Sequence, residues 1–201
     1  AGRKIIVSDM SLVPALAVLD PELVLGLPAN ITAATGVDAL THAVEAIGSR
    51  MRNPFGSALA LEAARVITAE DGLARCLSEP SDLAARGRML TAACLAGQAI
   101  STNMLGACHA FAHGLGALKG VPHGVANGLF LVPVMRLNLE KARAPYAQLG
   151  LALGGAGICR GRTPRASSTP RLVASSSCHS STTMAEQSLK TVSYPLEASN
   201  N

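Results

Sequence analysis

Four of the five histidines in this 201-residue chain fall in two short pieces, GVDALTHAVEA at Gly36 to Ala46 and GACHAFAHGLGALKGVPHGVAN at Gly106 to Asn127. Any fold for the chain has to account for that concentration, and the remaining sequence reads as scaffold for it. If Gly36 to Ala46 is helical, Asp38 and His42 stand at i and i+4 and project from one face. His109 and His113 repeat that spacing in the second piece. His123 follows on a turn enclosed by Gly120, Pro122 and Gly124.

The material for the scaffold is unusual. Hydrophobic residues make up 49% of the chain, ample for a core, yet aromatics are only 2% and Trp is absent. A core packed from Ala, Leu, Val and Ile suits closely spaced helices better than a β-sandwich, which predicts a mainly α body. Thr32 or Thr35 can cap a helix in which Val37, Leu40, Ala43, Val44 and Ile47 recur at helical spacing. After the Asn53-Pro54 turn, Ser57 is a candidate cap for SALALEAARVITA, Asp71 to Leu77 reads as a short helix, and Ser81 is a candidate cap for DLAARGRMLTAACLAGQAI. Small residues in that last segment, Ala92, Ala93, Ala96 and Gly97, leave room for a neighbouring helix. Gly106 to Leu118 is expected to be helical, with VANGLFLVPVMRLN resuming after His123.

The ends differ from this body. Lys4 to Val7, KIIV, reads as a short buried strand, and a chain that opens on one without an initiating methionine reads as cut from something longer. Past Gly154 the composition shifts, and residues 161–201, rich in Ser, Thr, Pro and Arg without apolar periodicity, are expected to be disordered; a frameshifted reading would write such text. Residues 1–154 carry 12 Lys/Arg against 11 Asp/Glu, so most of the formal charge of +4 lies in the tail. No basic stripe interleaves with aromatics, so no nucleic-acid partner is expected. Five cysteines without a CxxC pair suit a reducing cytosol, Cys108 beside His109 being the one to watch. With no apolar run near the ~18 residues of a membrane span and no leader, a cytoplasmic protein without a membrane partner is expected.

A carboxylate and an imidazole one turn apart can share a divalent ion, and nitrogen and oxygen donors without sulfur suit Fe, Zn, Co, Ni or Mn. Singly, each residue has a plainer reading. Asp38 could be a helix-start carboxylate and His42 a hydrogen-bonded core histidine. HAFAH lacks the glutamate of HExxH, which argues against a zinc peptidase.

The two pieces, with LDPEL, LP and AATG ahead of them in order, closely resemble the iron-containing (group III) alcohol dehydrogenases over about Lys4 to Gly150. The resemblance implies a helical bundle like the C-terminal domain of the dehydroquinate synthase-like fold, with the Rossmann-like nucleotide-binding half missing, since no GxGxxG-like loop is present. It implies residues 1–25 as the end of that half and a linker, residues 26–154 as the metal-binding catalytic domain, and residues 155–201 as a tail unlike the family's closing helices. Position by position, Asp38, His42, His109 and His123 match metal ligands, His113 matches a non-ligand histidine near the nicotinamide that could position substrate or relay a proton, and Lys4 matches a cofactor contact. Fe²⁺ or alternatively Zn²⁺, NAD or NADP, and an alcohol with its aldehyde or ketone are the implied cofactors and substrates. A homo-oligomer is expected from the bare cleft face of such a domain. Three other readings stand beside an oxidoreductase. They are a non-catalytic remnant that binds metal or a partner only, a maleylacetate-reductase-like enzyme, against which Asp38 counts, and a metal-dependent hydrolase using Glu45 as base.

Overall fold

The structure, a computed structural model, describes residues 5, 7 and 9–155. Among the described residues, seven α-helices follow two short 3-10 turns: α1 (Ala29–Gly48), α2 (Pro54–Thr68), α3 (Leu73–Ser78), α4 (Leu83–Asn103), α5 (Ala107–Lys119), α6 (His123–Asn138) and α7 (Arg143–Ala152). The expected mainly α body is what the described residues form, and no strand occurs among them. Ile5 and Val7 lie outside any regular element and are 78% and 74% exposed, which corrects the expectation of a buried strand at KIIV. A strand needs an edge to pair with, and the described residues offer none. The expected disorder of the tail concerns residues outside the described ones, as does Lys4.

Alanine decides how the helices meet. Ala60, Ala63 and Ala64 of α2 face Ala92, Ala96 and Ala99 of α4, all fully buried, and α1 lies across both with Ala43 and Ala46 fully buried. Such small side chains let backbones approach, while Ile47, Ile67 and Leu149 fill the larger gaps. The small-residue stripe expected on α4 is therefore real but shifted. Ala93 is exposed and Gly97 meets nothing, because 92, 96 and 99, spaced four and three apart, share the inner face.

Helix starts also differ from the expected ones. Pro28 precedes α1, which begins ahead of Thr32 and Thr35; Asn53 caps α2 by accepting from the Gly56 N–H at 2.9 Å; and Asp82, not Ser81, caps α4 through the Ala85 N–H. For α2, Asn53 with Pro54 at the first helical position takes the place of the Ser57 hydroxyl further in, and for α4 the carboxylate of Asp82 caps one residue past Ser81. Asn53→Ala is expected to cost about 1 kcal/mol in urea unfolding.

One end of the bundle is tied by polar bonds. Asn103, fully buried at the end of α4, donates to Ala46 O at 3.0 Å and accepts from the Asn53 N–H at 3.1 Å, while Ser49 donates to Asn103 O. These bonds fasten the C-terminal end of α1 just where it delivers Glu45 to the histidine-rich helices. Arg86 fastens the other end of α1, donating to Thr32 Oγ1 at 2.8 Å and to Pro80 O at 3.1 Å.

Candidate metal centre

Helix α1 presents Asp38, His42 and Glu45 at i, i+4 and i+7, one continuous stripe. Against it stand His109 and His113 of α5 and His123 of α6. The turn expected around His123 is instead the first residue of α6, so His123 and Asn127 share one face at i and i+4. Gly124 makes the approach of α6 possible, since a Cβ there would land on the carbonyl of Ala34 in α1.

Asp38, His42 and His109 each offer a donor atom, all within 4.8 Å of one another. His109 Nε2 lies 3.4 Å and His123 Nε2 3.5 Å from Asp38 Oδ1. The His42 and His109 rings stack with centroids 4.6 Å apart, and the His109 and His123 centroids are 5.3 Å apart. His113 stands edge-on to His123 at 5.0 Å and 6.4 Å from His109, at the side of the cluster. His109 is 3% exposed and forms the floor, whereas Asp38, His42, His113 and His123 are half-buried around the opening. All four histidines and Asp38 are thus brought together.

Two residues in this centre lay outside the sequence-derived set. Asn127, fully buried, places its amide nitrogen 2.5 Å from Asp38 Oδ1 and 3.1 Å from both His109 Nε2 and His123 Nε2. Its spacing of four from His123 was the available signal. Glu45 was considered only as a hydrolytic base, but it is buried, 2.7 Å from His109 Nδ1, and accepts the Cys108 N–H at 2.6 Å. A carboxylate so engaged has no free face for water, which removes the support for a hydrolase.

The donors suit a divalent cation on their own chemistry. With His109 Nδ1 turned to Glu45, a neutral His109 ring presents Nε2 as an acceptor beside Asp38 Oδ1, and the Asn127 amide nitrogen lies within 3.1 Å of both and of His123 Nε2. With the His109 ring neutral the pocket is short of positive charge, a place that a second proton on His109 fills in the metal-free chain. Burial opposes ionisation of Asp38, but His109, His42 and the Asn127 amide outweigh it and hold its carboxyl below the usual range. Burial likewise opposes ionisation of Glu45 and is outweighed by His109 and the N–H groups of Gly106 and Cys108. Burial is the main cause of the lowered pKa of His42, which keeps that ring neutral and able to ligate. Burial pushes the Cys108 thiol up to about 12, with Glu45 and Asp38 adding to it; Cys108 stays a thiol, its Sγ against Asn127 O at 3.3 Å.

His109 moves the other way. Burial favours its neutral form, but hydrogen bonds to Asp38 and Glu45 and the charge of both prevail, and its pKa rises from 6.5 to about 9. A raised folded-state pKa means that the proton stabilises the metal-free fold, fully below about 6.5 and progressively less as pH rises through about 9. The melting temperature of metal-free protein is therefore expected to fall between pH 7 and 10, and Zn²⁺, which must displace that proton, to bind more tightly over the same window. Scanning fluorimetry and metal titration across that range check both.

The bundle aligns with the crystal structure of a 1,3-propanediol oxidoreductase at a TM-score of 0.66 and 37% identity, over 86% of this chain and 40% of that one. Such an all-helical body matches the C-terminal helical domain of the fold shared by iron-containing alcohol dehydrogenases. Residues 32–192 match the family model described as Fe-containing alcohol dehydrogenase family, C-terminal. Among curated relatives, the probable alcohol dehydrogenase EutG of Escherichia coli is 44% identical over 153 residues, 76% of this chain and 38% of that protein. The NADPH-dependent butanol dehydrogenase of Clostridium saccharobutylicum is 39% identical over 150 residues, 75% of this chain and 38% of that protein. The chain belongs to the iron-containing alcohol dehydrogenase family, and it spans 38% of the length of these relatives.

Proposed function

We propose that this chain is the metal-binding part of an NAD(P)-dependent alcohol dehydrogenase, transferring a hydride between an alcohol and a nicotinamide, with Asp38, His42, His109 and His123 holding one divalent ion, Fe²⁺ or alternatively Zn²⁺. The observation that carries this is the convergence of Asp38, His42 and His109 donor atoms within 4.8 Å, from helices far apart in sequence. Residues 26–154 are the metal-binding catalytic domain in this reading and residues 1–25 the end of a nucleotide-binding half, with Lys4 a cofactor contact. A cytoplasmic setting accompanies it. Among the described residues no helix is long and apolar enough to cross a membrane.

A divalent ion bound here supplies Lewis-acid polarisation of an alcohol or carbonyl oxygen. The chain's own residues do the rest. Asp38 brings the negative charge that favours a cation, His109 anchors the floor, and His42 and His123 complete the set from either side. His113, half-buried beside His123, is placed to hold or pass a proton at the rim of the opening. Reconstitution with a nucleotide-binding half from a relative and assay of NAD(P)-linked oxidation of short alcohols tests the reading. His113→Ala is expected to lower turnover about 10²-fold or more while leaving metal content intact.

A homo-oligomer belongs to the same proposal. Met51, Phe55, Leu118, Leu129 and Leu137 are exposed apolar side chains on the described surface. Light scattering is expected to give a mass above that of one chain, and a clean monomer would count against it.

A further inference from the structure

Resting on the reading that His109 holds a metal, we infer that Glu45 is its positioning residue: one carboxylate oxygen is fixed by the Cys108 N–H at the start of α5, and the other holds the proton on His109 Nδ1, turning Nε2 towards Asp38. Helix α5 has no cap of its own, because Gly106 precedes it and contributes no side chain. The cap comes from α1. Glu45 Oε1 lies 2.6 Å from the Cys108 N–H, the second helical position of α5, where a negative charge also suits the helix dipole. Gly106 is needed for this approach, since a Cβ there would come within 2.8 Å of Glu45 Oε1.

The second oxygen, Oε2, lies 2.7 Å from His109 Nδ1. A carboxylate only accepts, so Nδ1 must carry the proton, and in the neutral ring the lone pair is then at Nε2. That nitrogen points to Asp38 Oδ1 at 3.4 Å and to the Asn127 amide at 3.1 Å, the centre of the donor cluster. Both ring and carboxylate are buried, so no water substitutes for either contact. Glu45 thereby chooses which face of His109 can ligate, without touching the metal position itself.

Glu45→Gln separates the two jobs. A glutamine has one acceptor oxygen. The Cys108 N–H can only donate and claims it, leaving the glutamine NH₂ against His109 Nδ1, which must then accept and shift its proton to Nε2, the ligating nitrogen. The test is ¹H–¹⁵N NMR of histidine-labelled 201-residue chain, metal-free and loaded with Zn²⁺, with Zn²⁺ affinity measured by chelator competition. Wild type is expected to show an exchange-protected N–H at His109 Nδ1 in both states. Glu45→Gln is expected to lose it and to bind Zn²⁺ 10- to 100-fold more weakly at unchanged helix content. Glu45→Asp, which keeps a carboxylate at shorter reach, should fall between. Persistence of the Nδ1 proton in Glu45→Gln, or an affinity within about twofold of wild type, overturns the inference. If Glu45→Gln does not fold, the wild-type spectrum decides, because a His109 lacking a proton on Nδ1 overturns it equally. Absence of Zn²⁺ binding by wild type removes the metal reading and this inference together, whereas Zn²⁺ binding that Glu45→Gln leaves untouched removes this inference alone.

Discussion

Asp38→Asn is expected to weaken divalent-metal binding roughly 100-fold or more, since even a residue that only orients a ligand is worth 10- to 100-fold. The substitution keeps the shape of the side chain and removes its charge. Asp38 Oδ1 is the point on which His109 Nε2, His123 Nε2 and the Asn127 amide all converge, at 3.4, 3.5 and 2.5 Å. Its replacement by an amide leaves a mainly neutral cluster, with Glu45 already committed to α5. The folded chain should survive, because Asp38 is half-buried near the opening and no helix is capped by it. Metal titration with circular dichroism in parallel distinguishes a lost ligand from a lost fold.

Gly124→Val is the largest expected effect on stability. The glycine sits at the second position of α6 with its missing Cβ aimed at the backbone carbonyl of Ala34 in α1. A flexible side chain could move aside, but a carbonyl within α1 moves only with its helix. Overpacking of this kind typically costs about 1–3 kcal/mol, and a backbone obstacle puts this site at the upper end or beyond. The alternative to unfolding is that α6 swings away from α1 and takes His123 and Asn127 with it, so metal affinity should fall alongside the urea midpoint. A valine tolerated at both readouts would mean that α6 does not press on α1 as described.

Much of the bundle could be read from the sequence because helix periodicity is a local property. Val37, Leu40, Ala43, Val44 and Ile47 lie on one face of α1 and are buried there, and the scarcity of aromatics pointed to closely packed helices with a core of Ala, Leu, Val and Ile. Helix starts were less legible. Asn53 and Asp82 compete with nearby Ser57 and Ser81 as caps, and the choice depends on where the preceding turn leaves the chain. The stripe on α4 was misjudged at Ala93 and Gly97, where small size alone does not say which side of the helix faces inward.

The centre divides the same way. Spacing placed Asp38 beside His42 and His109 beside His113, and the resemblance of the two pieces to a known family brought in His123. Nothing local could pair Glu45 with His109, because their contact joins residues 64 apart, nor show that Asn127 lies against Asp38, 89 residues away. Cys108 drew attention as a neighbour of His109, and burial instead makes it a neutral packing residue behind Asn127.

The central claim is that one divalent ion is held where α1, α5 and α6 converge. The most direct test is equilibrium binding of Fe²⁺ under anaerobic conditions, or of Zn²⁺, to the purified tag-free chain and to its His123→Ala variant. A single site per chain that is lost or greatly weakened in the variant is the predicted result. No site in the wild-type chain, or a site indifferent to His123→Ala, would contradict the account.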